Sequence, residues 1–186
     1  MPEGVALNTM VEDPIQAPQN ALLPTFEHLG EGTALAQQIF EMIGHSKFFA
    51  DFTREDVQRL TGFMQVYRAE PTQIIIREGD VDDYMLLIIQ GRVDIVKVDS
   101  HGRQQQMTAV GPGAMIGEMS MIDGEPRFAS CMATEPVTFA VVSRDSIVQI
   151  ILEEPSLGAK VLIKLVTLLS QRLRKTSSNL LHFMER

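Results

Sequence analysis

The sequence predicts a mostly β protein, an antiparallel β-roll of the jelly-roll or double-stranded β-helix kind, with helices before it and a long helix after it. Two observations carry this prediction. Short apolar segments follow one another through the middle of the chain, and the turns between them contain glycine. No helical segment separates these strands, whereas the strands of a parallel sheet need helical crossovers between them.

The first 33 residues predict a flexible N-terminal extension, because they contain four prolines and show no sustained periodicity. N-terminal helices follow this extension. One is predicted over Ala34–Ile43, and a second is predicted to begin after Thr53, since Thr53 and Asp56 have the spacing of a capping box.

Seven short strands are predicted next, and the chain returns to helix after them. The strands are Met64–Arg68, Gln73–Ile76, Tyr84–Ile89, Arg92–Val98, Gln104–Val110, Phe128–Ala133 and Val137–Val142. A short helix is expected from Arg144 to about Glu153, and a long one from Ser156. The sequence therefore divides into an extension (1–33), a roll with its flanking helices (34–154) and a C-terminal helix (155–186).

The charge balance argues against a nucleic-acid partner. The 186 residues carry 24 acidic and 16 basic side chains, for a net charge of −8. A DNA-binding surface needs clustered Lys and Arg, so no DNA partner is expected. The segment after Pro155 is basic and could form such a patch, but basic residues between leucines usually form the solvated face of a helix.

The composition also predicts the compartment. The most apolar stretch, Leu157–Leu169, contains two lysines, and the N-terminus lacks the regions of a secretory signal. No membrane partner and no export are therefore expected. The single cysteine, Cys131, excludes a disulfide within one chain and fits a reducing compartment, so we expect a cytoplasmic protein.

Catalysis is not expected. Enzymes that use metals or nucleophiles need clustered ligands or paired nucleophile and base groups. The four histidines lie far apart in the sequence, and no Ser-His-Asp or Cys-His grouping is visible; they are His28, His45, His101 and His182. The sequence thus predicts no catalytic residue, no metal and no cofactor.

The segment from Gly117 to Ser130 is the most informative for function. Glu118–Ile122 is long enough for about one helical turn, whose first amides would face an anion. Arg127 offers a bidentate fork suited to a phosphodiester, and Glu118 can accept hydrogen bonds from sugar hydroxyls. One Arg for a phosphate and one Glu for a ribose describe a cyclic nucleotide. The alternatives are that Glu118 only caps its helix and that Arg127 only lies in a surface turn.

At these residues the sequence resembles the cyclic-nucleotide-binding domains of the catabolite activator and protein kinase A regulatory subunit type. The resemblance runs from about Phe48 to Phe183, and it includes the segments Arg77–Asp80 and Gly91–Val93 as well as the cassette. It implies that Glu118 binds the ribose 2′-hydroxyl and that Arg127 binds the exocyclic phosphate oxygens.

The resemblance also implies which other cassette residues contact the ligand. These are the residues beside the two charged groups, with main-chain amides near both ends of the cassette contributing: Gly117, Met119 and Phe128. Phe128 departs from the family, which usually has Ala or Ser there. The family's cGMP-selective members often have Thr at this position, so the ligand expected here is cAMP, with cGMP as the alternative.

The C-terminal helix carries an apolar seam. Seven residues recur at alternating spacings of four and three: Leu162, Val166, Leu169, Leu173, Thr176, Leu180 and Phe183. This heptad pattern predicts a homodimer through parallel helices, and the alternative is a helix packed on its own roll. Thr176 and Ser177 resemble the adjacent Thr and Ser with which the catabolite activator contacts the purine from its two subunits.

These features together predict a regulatory sensor. No DNA-binding, kinase or channel segment follows Arg186 in this sequence, so we expect signalling by a conformational change read by an unknown downstream protein. The alternative is a structural dimer that keeps the fold and has lost nucleotide binding, with Phe128 as the cause. A second alternative, an enzyme built on a small β-roll, lacks the clustered ligands described above.

Overall fold

The computed structural model describes residues 23, 25–43, 46 and 48–185. Nine strands are described: β1 (Glu27–Glu31), β2 (Gln65–Ala69), β3 (Ile74–Ile76), β4 (Tyr84–Gln90), β5 (Val93–Val98), β6 (Gln104–Val110), β7 (Met115–Ile116), β8 (Ser130–Ala133) and β9 (Val137–Ser143). The helices are α1 (Ala36–Ile43), α2 (Arg54–Thr61), α3 (Glu118–Asp123), α4 (Arg144–Glu153) and α5 (Pro155–Met184), with a 3₁₀ turn at Gly32–Leu35 before α1.

The strands form two antiparallel sheets, as the sequence predicted. One sheet has the order β1-β2-β9-β4-β7, and the other has the order β3-β8-β5-β6. Strand β4 shows why the central strands are so apolar. Its alternate residues Leu86 and Ile88 lie in the core between the sheets, while Met85 and Leu87 pack against the helices on the outer face. A strand buried on both faces shows a continuous hydrophobic run, not an alternating one.

The prediction of a flexible extension over residues 1–33 is wrong for its last part. Strand β1 pairs antiparallel with β2, with Glu27 opposite Arg68 and Glu31 opposite Gln65. Leu23 is buried in the core between the sheets. This strand was not predicted because an edge strand needs only main-chain hydrogen bonds along one side, which any sequence can form. The side chains of β1 are largely exposed, so they show no alternation of apolar and polar residues. Residues 1–22 and 24 lie outside the described residues.

The other differences from the predicted elements are small. Strand β7 has two residues and pairs with Leu86 and Leu87, and so short a strand carries no periodicity. The strand predicted from Phe128 begins only at Ser130, because residues before it turn to close the cassette. The remaining predicted strands are confirmed to within two residues at each end.

Helices α4 and α5 pack on the outer face of the sheet that contains β4 and β9, and they pack closely on each other. Gly158 makes this possible, because a Cβ there would lie 2.8 Å from the Cα of Ile151. The first half of α5 buries Leu157, Val161 and Leu165. Among the described residues, no helix combines the length and the apolar character needed to cross a membrane.

Candidate functional site

The cassette between β7 and β8 is built around α3, which lies between two glycines in the left-handed conformation. Gly117 has φ +79° and Gly124 has φ +77°. A Cβ on Gly117 would lie 2.7 Å from Nη1 of Arg127 and 2.9 Å from Cδ1 of Ile76. Only glycine therefore allows both this backbone turn and the close approach of the Arg127 guanidinium.

Arg127 is buried, with 3% of its surface exposed, and its guanidinium has three protein acceptors. Nη1 donates to Gly117 O and Nη2 to Tyr84 O, both at 2.7 Å, and Nε lies 3.3 Å from Oδ2 of the buried Asp82. The guanidinium carbon also lies 4.5 Å from the centroid of the Tyr84 ring. A guanidinium has five N–H donors, so these acceptors leave two N–H groups for another anion.

Glu118 is the most deeply buried acid, with 0% of its surface exposed. Its Oε1 accepts a hydrogen bond from Nη1 of Arg172 on α5, and Nη2 of Arg172 donates to Met115 O at 2.7 Å. Its Oε2 has no hydrogen-bond partner among the described residues. A buried acceptor without a donor costs about 1–3 kcal/mol. Among the buried side-chain nitrogen and oxygen atoms that the structure describes, this oxygen is the one that lacks a partner.

The side chains around Arg127 are buried. Burial, reinforced by the charge of Asp82, raises the pKa of Tyr84 to about 12. Burial also raises the pKa of the Cys131 thiol to about 12. Both groups therefore stay protonated at neutral pH, and Cys131 is not a nucleophile there. No group of three or more His, Cys, Asp or Glu side chains suited to a metal occurs in the part of the chain that the structure describes.

Phe128 and Met119 lie at the surface of the cassette, and 52% of the Phe128 surface is exposed. Lys97 lies over the phenyl ring, with Nζ 4.1 Å from the ring centroid, and Nζ donates to Phe128 O at 2.6 Å. Lys97 also forms an ion pair with Glu78 at 2.9 Å. The Phe128 side chain is thus held by Lys97 at the surface and does not fill the interior next to Arg127.

The predicted site residues do not all come together. The structure joins Gly117, Glu118 and Arg127, because Arg127 binds the carbonyl of the residue before Glu118. Thr176 and Ser177 are exposed on α5, and within the described ranges no hydrogen bond links either of them to the cassette. Arg172, one turn earlier on the helix, is the α5 residue that contacts Glu118.

Two partners of the cassette were missed by sequence reasoning. Asp82 lies in an acidic turn between β3 and β4, where nothing marks one carboxylate of the run as buried. Arg172 lies in a basic run in the second half of α5, and the basic residues of this helix were interpreted as a solvated face. One signal was available in the sequence. Arg172 lies four residues before Thr176, which was predicted to contact the purine, and residues four apart share a helix face, so Arg172 could be expected to face the cassette as well.

A buried arginine and a buried glutamate lie together in one short cassette of an antiparallel β-roll. A family model described as cyclic nucleotide-binding domain matches residues 66–154. The chain is 42% identical to a cyclic nucleotide-binding domain from Methylobacillus flagellatus KT, whose crystal structure it matches with a TM-score of 0.77 over 88% of this chain and 92% of that one. The protein therefore belongs to the cyclic nucleotide-binding domain family, as its sequence had indicated.

Two other relatives are a catabolite activator protein and a transcriptional regulator. The chain is 26% identical to the catabolite activator protein of Thermus thermophilus, with a TM-score of 0.69 over 75% of this chain and 63% of that one. It is 28% identical, over 75% of its length, to the CRP-like cAMP-activated global transcriptional regulator of Mycobacterium tuberculosis. It spans 61% of the length of that regulator.

Proposed function

We propose that this protein binds a cyclic nucleotide, preferentially cAMP, and acts as a regulatory sensor. The observation that carries the proposal is the buried Oε2 of Glu118, which has no donor among the described residues. Glu118 lies next to Arg127 in the cassette, because Arg127 binds the carbonyl of the preceding residue, Gly117. A ribose hydroxyl would supply that donor. The phosphate would take the two remaining N–H groups of Arg127, as charge-assisted bonds to an anion favour.

The preference for cAMP rests on the relatives and on Phe128. The relative from Mycobacterium tuberculosis is named as cAMP-activated, and another from Thermus thermophilus, 27% identical, is named cyclic AMP receptor protein. Position 128 has no hydroxyl with which to recognise a guanine edge. We propose a homodimer through α5, in which Thr176 of one chain and Ser177 of the other contact the purine. The dimer would be read in the cytoplasm by a downstream protein.

We also propose that the chain has no catalytic role of its own. The relative from Mycobacterium tuberculosis is named a transcriptional regulator. In this protein the ligand would act by changing how the helices α4 and α5 meet the roll. A downstream protein would then carry out the response, and it would sense the ligand by contacting the helices that follow the cassette, α4 and α5.

A second candidate function is a structural dimer that binds no nucleotide. The observation that favours it is that both cassette charges already have protein partners: Arg127 has Asp82, and Glu118 has Arg172. A fold whose buried charges are compensated in this way does not require a ligand for stability.

Calorimetric titration of the full chain with cAMP, cGMP and AMP separates the two candidates. We expect the wild type to bind cAMP more tightly than cGMP and not to bind AMP. Arg127→Ala should weaken cAMP binding by about 30-fold to several thousand-fold, the cost of removing one side of a buried charged interaction. Arg68→Ala, an exposed arginine on β2, is the matched control and should bind as the wild type does.

The melting temperature provides an independent measurement. A ligand that binds only the native state stabilises it by about 2.7 kcal/mol at a hundredfold excess over Kd, which raises the melting temperature. No heat and no melting shift with millimolar cAMP or cGMP would favour the structural dimer. Equal binding by wild type and Arg127→Ala would instead show that the phosphate lies elsewhere.

A further inference from the structure

Arg144, the first residue of α4, binds the C-terminal end of the cassette helix α3. Its Nε donates to Met121 O at 2.8 Å, and its Nη2 lies 3.3 Å from Ser120 O. The carbonyls in the last turn of a helix have no partners within the helix and carry partial negative charge. The Arg144 guanidinium therefore supplies a donor to Met121 O and a second donor to Ser120 O, which also accepts the Gly124 N–H at 2.9 Å.

The main chain of Arg144 makes a second connection. Its N–H donates to Asp83 O at 2.7 Å. Asp83 follows Asp82, the carboxylate that holds the Arg127 guanidinium. Residue 144 is thus a junction between the start of α4, the end of α3 and the turn that positions Arg127.

A helix as short as α3 needs such an external contact. It has six residues, and its C-terminal glycine, Gly124, donates its N–H to Ser120 O at 2.9 Å. A helix of this length has too few internal hydrogen bonds to hold its own position. Within the described ranges, Arg144 takes part in no ion pair, so its donors are directed to the α3 carbonyls.

The other contacts of α4 extend this link to the long helix. Ser143 caps α4 by accepting a hydrogen bond from Ser146 N at 3.0 Å, which fixes the start of the helix. Gly158 allows α5 to lie against Ile151 of α4 with no side chain between them. Arg144 therefore connects α3 to α4, and the contact at Gly158 connects α4 to α5.

We propose that Arg144 is a positioning residue that ties the cassette helix to α4, so that ligand occupancy of the cassette alters α4 and α5 through it. The proposal rests on the proposed function for its ligand-dependent part. Its ligand-free part, that Arg144 holds α3 in place, stands on the contacts above.

The test uses Arg144→Met, Arg144→Lys and the control Arg68→Met in the full chain, with amide hydrogen exchange and calorimetry. Without ligand, Arg144→Met should speed exchange of the Gly124 amide by about threefold to tenfold, the effect of losing hydrogen bonds at a partly exposed charged group. Arg144→Lys retains a positively charged donor group, and it should therefore keep part of the protection that Arg144→Met loses. Arg68→Met loses a similar exposed arginine on β2 and should leave Gly124 unchanged.

With cAMP, the wild type should show added protection both at Gly124 and at Ser146 in the first turn of α4. Arg144→Met should bind cAMP about threefold to tenfold more weakly and should lose the ligand-induced protection of Ser146 while keeping that of Gly124. Arg144→Lys should recover part of the Ser146 response, which a purely destabilising substitution would not.

The outcomes separate the two proposals. Unchanged Gly124 exchange in Arg144→Met overturns the positioning role, whether or not the wild type binds a nucleotide. Retained Ser146 protection in ligand-bound Arg144→Met overturns the coupling. A wild type that binds neither cAMP nor cGMP would contradict the proposed function but not the positioning role of Arg144. The comparison of Gly124 exchange without ligand decides that role.

Discussion

Glu118 illustrates at the residue scale how a structural contact and a proposed ligand contact can fall on one carboxylate. Its carboxylate is fully buried, with one oxygen held by Arg172 and the other without a donor among the described residues. A glutamate that only capped α3 would place its oxygens on the amides of that helix. The helix N-cap is instead Gly117, which makes no side-chain hydrogen bond.

Substitution of this carboxylate tests the ribose contact. Glu118→Gln should reduce the preference for cAMP over 2′-deoxy-cAMP from about tenfold to about twofold, because a neutral amide is a weaker acceptor than a carboxylate. Parallel calorimetric titrations of both ligands measure this ratio. Glu78→Gln, which alters the Lys97 pair outside the interior, should keep the wild-type ratio. An unchanged ratio in Glu118→Gln would move the ribose contact to another residue.

At the scale of elements, α5 has two apolar faces, of which one is buried and the other is exposed. Leu157, Val161 and Leu165 are buried against the rest of the protein. The seam predicted from the heptad spacing is largely exposed: Leu162, Val166, Leu173, Leu180 and Phe183. Packing on its own roll thus uses a different face, so that alternative does not account for the seam. An apolar face of this length favours burial against a second copy.

The seam predicts the assembly state. Leu173→Glu should convert a dimer into a monomer, because it places like charges opposite each other across a two-fold axis. Leu173 is 68% exposed in the single chain, so the substitution should leave the fold intact. Light scattering should give twice the chain mass of 20.7 kDa for the wild type and for the control Arg174→Glu, which lies off the seam. A wild-type mass of one chain would contradict the dimer.

At the scale of the whole molecule, ion pairs join the N-terminal helical region to α5. Lys160 pairs with Asp56 at 2.6 Å, and Lys164 pairs with Asp51. These partners are 104 and 113 residues apart in sequence. The hydrogen bond and the charge of Lys164 lower the pKa of Asp51 below its usual 3.8. This links the protonation of Asp51 to folding.

The sign of that linkage predicts an acid dependence. A carboxyl group whose pKa is lower in the folded state than in the unfolded state stabilises the folded state at pH values above its unfolded-state pKa. This stabilisation is lost as the pH falls through the folded-state pKa. The free energy of unfolding, measured by urea titration, should therefore decline below about pH 4. Asp51→Asn and Lys164→Met should both give a shallower decline, with the larger change in Asp51→Asn, because Lys160 still lowers the pKa of Asp51 when Lys164 is replaced. A decline equal to that of the wild type in both variants would contradict the linkage.

The sequence by itself determined the features that depend on neighbouring residues. The capping box of Thr53 and Asp56 is present, and the turns and apolar runs of the roll define its strands, because cap chemistry and side-chain period act over a few residues. The cassette followed from the spacing of Gly117, Glu118 and Arg127. The heptad seam followed from helical geometry alone.

Only the tertiary structure decided which groups meet across the fold. Asp82 lies 45 residues before Arg127, and Arg172 lies 54 residues after Glu118, so no local pattern pairs them. The pairing of β1 with the sheet edge was hidden for the same reason, since main-chain hydrogen bonds between distant strands leave little trace in side-chain type. These distant groups pair because they are buried together. A charged group removed from water needs an opposite charge or a hydrogen-bonding partner nearby, and only the tertiary structure determines which group that is.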